Sequence, residues 1–192
     1  MVDPGFIGRD DRGRCPPTLN IVNWLKVRLH ERPVPPTLMT PHFFPRDEYF
    51  MRLALREATR ALDHDDVPIG AVIVHEREVI GAGHNEREVR ADPTAHAEMI
   101  ALRQASAALG SWRVLDTVMY VTLEPCAMCA GAIVLARVPR VIFGASDPKA
   151  GAAGSVLNVL DVPQLNHKPQ VEHGLLAEEC ADLLRAFFAP RR

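Results

Sequence analysis

Two short motifs constrain this chain more than anything else in it: His96-Ala97-Glu98 and Pro125-Cys126-Ala127-Met128-Cys129, the first cysteine standing 30 positions after the histidine. Zn²⁺ favours nitrogen and thiolate donors in a tetrahedron, and a catalytic site keeps three protein ligands with the fourth position open to water. His96, Cys126 and Cys129 supply three. No fourth ligand stands at structural-site spacing, so the count points to an open centre. Glu98 is then left over as a proton carrier, taking a proton from a metal-activated water and passing it to a leaving group.

Both motifs fall where helices are expected to begin. Free N–H groups and the positive end of the helix dipole favour thiolates there. Cys126 and Cys129 are three apart and share a helix face. His96 and Glu98 are two apart and would diverge on an ideal helix, so both are expected in its first turn, reaching past the helix end. A lone C-x-x-C reads as redox or structural metal, and a lone His-x-Glu as an ordinary helix start. Together they specify a catalytic metal.

The flanking texture changes at Arg46. Half of the 16 prolines lie in residues 1–45. Pro33, Pro35, Pro36, Pro41 and Pro45 block regular structure, so 1–45 reads as a flexible Pro-rich extension and 46–192 as one domain. Trp24 lies in a run long enough for a short helix. Within the domain, Phe50, Leu53, Ala54, Ala58, Ala61 and Leu62 recur at helical spacing and predict a helix over Asp47–Leu62. Ile69–His75 and Val79–Ala82 read as a hairpin around Glu76-Arg77-Glu78.

A polar loop spans Glu86 to Pro93. Pro93 and Thr94 are expected to open a helix to Leu109, closed by Gly110. Val118–Thr122 reads as a strand, Pro125–Ala136 as a helix, Arg140–Ala145 as a strand and 146–158 as a loop. Val171–His173 reads as a strand and Leu175–Phe188 as a final helix. A hairpin followed by helix–strand alternation makes an α/β sheet covered by helices, its later strands parallel.

Composition excludes other classes. At 47% apolar and 24% charged, 192 residues suffice for a core without staples. A net charge of −2 leaves room only for local basic patches. The most apolar run near the start, Leu19 to Leu29, is broken by Asn20, Asn23, Lys26 and Arg28, too polar and short to span a membrane. Neither a membrane nor a secretory signal is expected, which points to the cytoplasm. Cys15 gets no role. Cys180 reads as a small buried hydrophobe. His30, His42, His64, His75, His84, His167 and His173 read as surface or loop residues, with His84 also placed to line a pocket.

The two motifs match the H-x-E…P-C-x-x-C signature of zinc nucleobase deaminases. Asp92-Pro93-Thr94-Ala95-His96-Ala97-Glu98, Thr122 to Ala132, and Phe143 to Ser155 resemble the bacterial-type tRNA-specific adenosine deaminase family, with Leu165-Asn166-His167 downstream. The resemblance runs from about Arg46 to Phe188. It implies a three-layer α/β/α sandwich with a five-stranded mixed sheet, the cytidine deaminase-like fold, and one Zn²⁺ per subunit. The implied reaction is hydrolysis of the wobble adenosine of a tRNA anticodon stem-loop to inosine, in a homodimer.

The implied site comprises Glu98 as catalyst, His96, Cys126 and Cys129 as metal ligands, and Asn85, Ala97, Asp147 and Lys149 as substrate contacts. Asn85 also reads as a turn former, and Asp147 as a turn initiator before Pro148. Phe187 and Phe188 read either as core or as a stacking face. Lys149, Lys168, Arg185, Arg191 and Arg192 read either as phosphate contacts or as solvated charges. Alternative readings are a deaminase of free guanine or cytosine and a non-catalytic, zinc-stabilised RNA-binding module.

Overall fold

Alternation along the strands divides the apolar residues between two faces of one sheet. The computed structural model describes residues 43–191; the extension, apart from its last three residues, and Arg192 lie outside them. Strands β1 (Gly70–His75), β2 (Glu78–His84), β3 (Thr117–Leu123), β4 (Arg140–Ala145) and β5 (Gln170–His173) form one sheet in the order β2-β1-β3-β4-β5. The pairs β1–β2 and β1–β3 are antiparallel, and β3–β4 and β4–β5 are parallel. Ala71, Ile73, Met119, Val121, Val141 and Phe143 face helices α3 (Ala97–Leu109) and α4 (Ala127–Ala136). Their neighbours Val72, Val74, Tyr120 and Ile142 face α1 (Asp47–Arg60) and α5 (Ala177–Phe188). The period of two thus makes the expected three layers and five-stranded mixed sheet.

Several element ends differ from the sequence expectation. Helix α3 opens at Ala97, not at Pro93–Thr94, because the Asp92 side chain accepts both the Thr94 N–H (2.8 Å) and its hydroxyl (2.7 Å), stabilising a turn. Helix α4 opens at Ala127, not Pro125, with Cys126 extended before it. The hairpin turn is two residues, Glu76 and Arg77, both left-handed at φ 48° and 75°. That primed geometry follows the strand twist and lengthens β2 at both ends. Part of the polar loop winds into a short helix, α2 (Arg87–Arg90). Cys180 is buried as expected, and burial pushes its thiol up to about 12.

Small residues let α3 lie close on β2. A Cβ on Gly83 would stand 2.7 Å from the Ala97 carbonyl oxygen, and one on Gly81 would stand 2.3 Å from that of Ala101. A side chain at Gly83 would push the start of α3, and with it His96, off the sheet, and one at Gly81 would lift the middle of the helix.

On the opposite face a buried charge cluster joins α1 to the parallel strands. Arg140 binds Asp47 (Nη2 to Oδ2 2.8 Å) and Glu172 (Nε to Oε1 2.8 Å), and the Tyr120 hydroxyl donates to Asp47 at 2.6 Å. Burial by itself would raise the Asp47 pKa. Hydrogen bonds from Arg140, Tyr120 and the Phe44 N–H outweigh it and hold the carboxyl below the usual carboxylate range.

Asp47→Asn should therefore cost about 3 kcal/mol at neutral pH, since removing one member of a buried ion pair strands the other. A depressed folded pKa gives stability that is complete above the unfolded value, about 3.9, and lost as pH falls through the folded value. Urea melts from pH 7 down to pH 2.5 should show the gap between wild type and Asp47→Asn narrowing in acid. A gap constant across that range contradicts this role.

Candidate active site

Helices α3 and α4 start side by side, and each start carries one motif. His96 is the residue before α3, extended at φ −80° and ψ 153°, and Cys126 is the residue before α4, extended at φ −72° and ψ 172°. His96 thus lies outside the helix and Glu98 is its second residue, which removes the divergence expected of residues two apart within a helix. Cys129 follows one turn into α4.

His96 Nδ1 lies 3.8 Å from the Cys126 sulfur and 3.6 Å from that of Cys129. The three donor atoms are all within 4.8 Å of one another. Tetrahedral bonds of about 2.3 Å to sulfur and 2.0–2.1 Å to nitrogen put such donors about 3.6 Å apart, so the set fits one Zn²⁺. The three donors also perturb one another. A hydrogen bond from Cys129, with His96 beside it, pushes the half-buried Cys126 thiol down to about 3. Sharing that proton, together with burial, pushes Cys129 up, and the Cys126 sulfur raises His96.

Glu98 is 3% exposed, and its Oε2 has no hydrogen-bond partner among the described residues. Burial raises its pKa, opposed by a backbone hydrogen bond and by His96. It lines a cavity of about 400 Å³ together with His96, Cys126, Asn85, Asp147 and Lys149. Asn85 is fully buried, and its Oδ1 accepts the Ala97 N–H at 3.1 Å. In this structure Ala97 and Asn85 therefore satisfy each other.

The other residues singled out from the sequence separate. Phe188 lines the cavity and is 40% exposed, whereas Phe187 is buried beneath α5. Lys168 pairs with Asp161, Arg185 with Glu178 and Asp182, and Arg191 with Asp65, so these cations already have partners. His84 is neither a surface residue nor part of the cavity lining. It is 4% exposed, with Nδ1 3.2 Å from Glu57 Oε2 and its ring stacked on His64. The β2 strand runs two residues further than Ala82, and that extension takes His84 inside. His167 bonds the Val138 carbonyl at 2.7 Å, away from the cavity.

Sequence reasoning missed Glu124. It is 3% exposed and accepts the N–H groups of Asp147 (3.0 Å), Ala153 (2.9 Å) and Ser155 (3.0 Å), along with the Ser155 hydroxyl. Burial raises its pKa, and these donors bring it below the usual range. One carboxylate thus folds the loop after β4 over the start of α4. Gly151 leaves room for it, because a Cβ there would stand 2.4 Å from the carboxyl. An acid immediately before Pro125 was the only available signal.

The chain matches the family described as MafB19-like deaminase over residues 46–192. It is 49% identical over 152 residues to a tRNA-specific adenosine deaminase of Streptococcus pyogenes, covering 79% of this chain and 96% of that one. It is 48% identical over 147 residues to a tRNA-specific adenosine deaminase of Bacillus subtilis, covering 77% and 91%. A solved structure from a study of A-to-I editing by tRNA:A34 deaminases at the wobble position superposes with TM-score 0.69 at 46% identity, over 71% of this chain and 99% of that one. A guanine deaminase structure from Nitrosomonas europaea superposes with TM-score 0.65 at 25% identity, over 82% and 94%.

Glu124→Gln removes the charge that holds the loop. Hydrogen bonds to charged groups contribute about 1.5–3 kcal/mol each, so local opening should rise on the order of tenfold. Hydrogen exchange should quicken at the amides of Asp147, Ala153 and Ser155 but not in β1. Unchanged exchange at those three amides contradicts the role given to Glu124.

Proposed function

The chain belongs to the tRNA-specific adenosine deaminase family, and from that premise we propose that it hydrolyses the wobble adenosine of a tRNA anticodon to inosine and releases ammonia. The observation that carries the reading is Glu98: a buried carboxyl with a free oxygen, in a cavity shared with three convergent metal donors. A structural metal has no use for such a carboxylate.

His96, Cys126 and Cys129 would hold one Zn²⁺. When bound, the ion supplies Lewis acidity toward water near neutral pH. Glu98 takes one proton from the attacking water and delivers it to ring N1 as the oxygen bonds to C6; it then carries the second proton from that oxygen to the 6-amino group, so that the C6–N bond breaks and ammonia leaves. Asn85 and the Ala97 N–H orient the base, which would replace their mutual hydrogen bond. Asp147 and Lys149, on the loop held by Glu124, meet the flanking nucleotides, and Phe188 offers them a stacking face.

Two further features accompany this reading. Leu135 and Trp112, 68% and 59% exposed, border an apolar groove on α3 and α4 with Met99, Leu102 and Ala132, and support a homodimer. Among the described residues no helix is long and apolar enough to cross a membrane. The proposed location is the cytoplasm, where tRNA is processed.

Unmodified tRNA carrying A at the wobble position, treated with the protein and reverse-transcribed, should read G at that site. Glu98→Ala should keep its metal and its melting temperature while the rate falls by about 10²–10⁴, the usual contribution of general acid–base catalysis. Unchanged activity in Glu98→Ala excludes it as the proton carrier. Turnover of free guanine or cytosine, with none of tRNA, makes the protein a free-base deaminase instead.

A further inference from the structure

Arg87, in the short helix α2, lines the cavity with Asn85, Phe188, Pro148 and Lys149. Its side chain is one-third exposed, while that of Asp66, its partner, is fully buried. Arg87 donates from Nη2 (2.8 Å) and Nε (3.3 Å) to the same oxygen, Asp66 Oδ1. Asp66 also accepts the Val67 N–H at 2.7 Å and the Glu88 N–H at 3.1 Å. Those donors hold its carboxyl below the usual carboxylate range in spite of burial.

The guanidinium has five N–H donors in a rigid fork. Asp66 occupies two. The remaining three have no acceptor among the described residues. The other acids of the cavity lining are Glu98, Glu124 and Asp147, and none of them hydrogen-bonds Arg87: Glu124 is taken up by the loop, Asp147 Oδ1 accepts the N–H groups of Lys149 and Ala150, and the Arg87 bonds go to Asp66. Among the arginines in ion pairs, Arg140 serves the core on the other face of the sheet. Arg87 is the only arginine in the cavity lining among the described residues. Its orientation is set in advance by a buried carboxylate, which lowers the entropy lost on binding.

We propose that Arg87, oriented by Asp66, binds a backbone phosphate beside the target nucleotide, and that this contact makes the site select a base carried in a nucleic-acid chain over a free base. The inference rests on the tRNA reading above and adds its electrostatic anchor. A planar fork pairs bidentately with phosphate oxygens. Lys149, elsewhere on the same wall, supplies a point charge, so the two cations can take phosphates flanking one extruded base. A free base has no phosphate and gains nothing from Arg87.

The test is binding of a fluorescently labelled anticodon stem-loop RNA to the metal-loaded full chain, by anisotropy, between 50 and 200 mM salt. Arg87→Gln keeps amide donors for Asp66, and Arg87→Lys keeps the charge; thermal melts verify that both fold. One phosphate contact on a single strand is worth about 0.7 in the slope of log K against log salt. Arg87→Gln should lower the slope by that amount, so that over this range its affinity falls about threefold less than wild type's. Arg87→Lys should keep the wild-type slope. An unchanged slope in a folded Arg87→Gln, or no RNA binding by wild type, overturns the proposal. Inosine formation by wild type is scored in parallel, so failure of the tRNA reading appears as bound but unedited RNA.

Discussion

Everything at this site depends on bringing one imidazole nitrogen and two sulfurs within bonding distance of a common point. No single element can do this, because the histidine stands 30 and 33 residues before the two cysteines. Two helix starts meeting at one end of the sheet accomplish it. His96 and Cys126 occupy equivalent extended positions ahead of α3 and α4, and each helix directs its free N–H groups and dipole toward the donors. The glycines of β2 bring α3 down onto the sheet, and the crossover from β3 places α4 beside it.

The buried charges divide into two functional groups. Asp47, Arg140, Glu172 and Tyr120 form a satisfied cluster on the α1 and α5 side, remote from the donors. Its job is to fix where β4 and β5 sit relative to α1. Glu124 and Asp66 act at the cavity rim instead. Each is a carboxylate enclosed by backbone N–H donors, and each orders a segment that bears candidate substrate contacts: the loop with Asp147 and Lys149, and the short helix with Arg87. Glu98 contrasts with both, being buried with an oxygen left free. The fully bonded carboxylates hold structure, whereas the free oxygen of Glu98 is what the proposed proton transfer requires.

Much of this was legible in the sequence. The hairpin, the helices covering a sheet and the parallel later strands followed from periods of two and 3.6 and from the Pro and Gly positions, whereas the three layers and five strands followed from the family resemblance. The His96, Cys126 and Cys129 cluster followed from ligand chemistry and spacing. Helix starts were the weakest part of the reading, because Pro93 and Pro125 look like first-turn prolines. Whether a proline begins the helix or the turn before it depends on side-chain bonds such as Asp92 to Thr94, which have no periodicity. Glu124 and Asp66 were invisible for a related reason: a buried acid is recognisable only once its donors, up to 31 residues away, are folded around it. Phe187 and Phe188 differ by one helical step, and only the packing of α5 decides which of them faces the cavity.

Zinc K-edge X-ray absorption of the purified protein tests the central geometry most directly. The donor geometry predicts one zinc per chain, with two sulfurs at about 2.3 Å, one imidazole nitrogen at about 2.0–2.1 Å and one further light atom. That light atom should persist in Glu98→Ala. A shell of four protein ligands, a carboxylate signal lost in that variant, or a protein that takes up no zinc would contradict it.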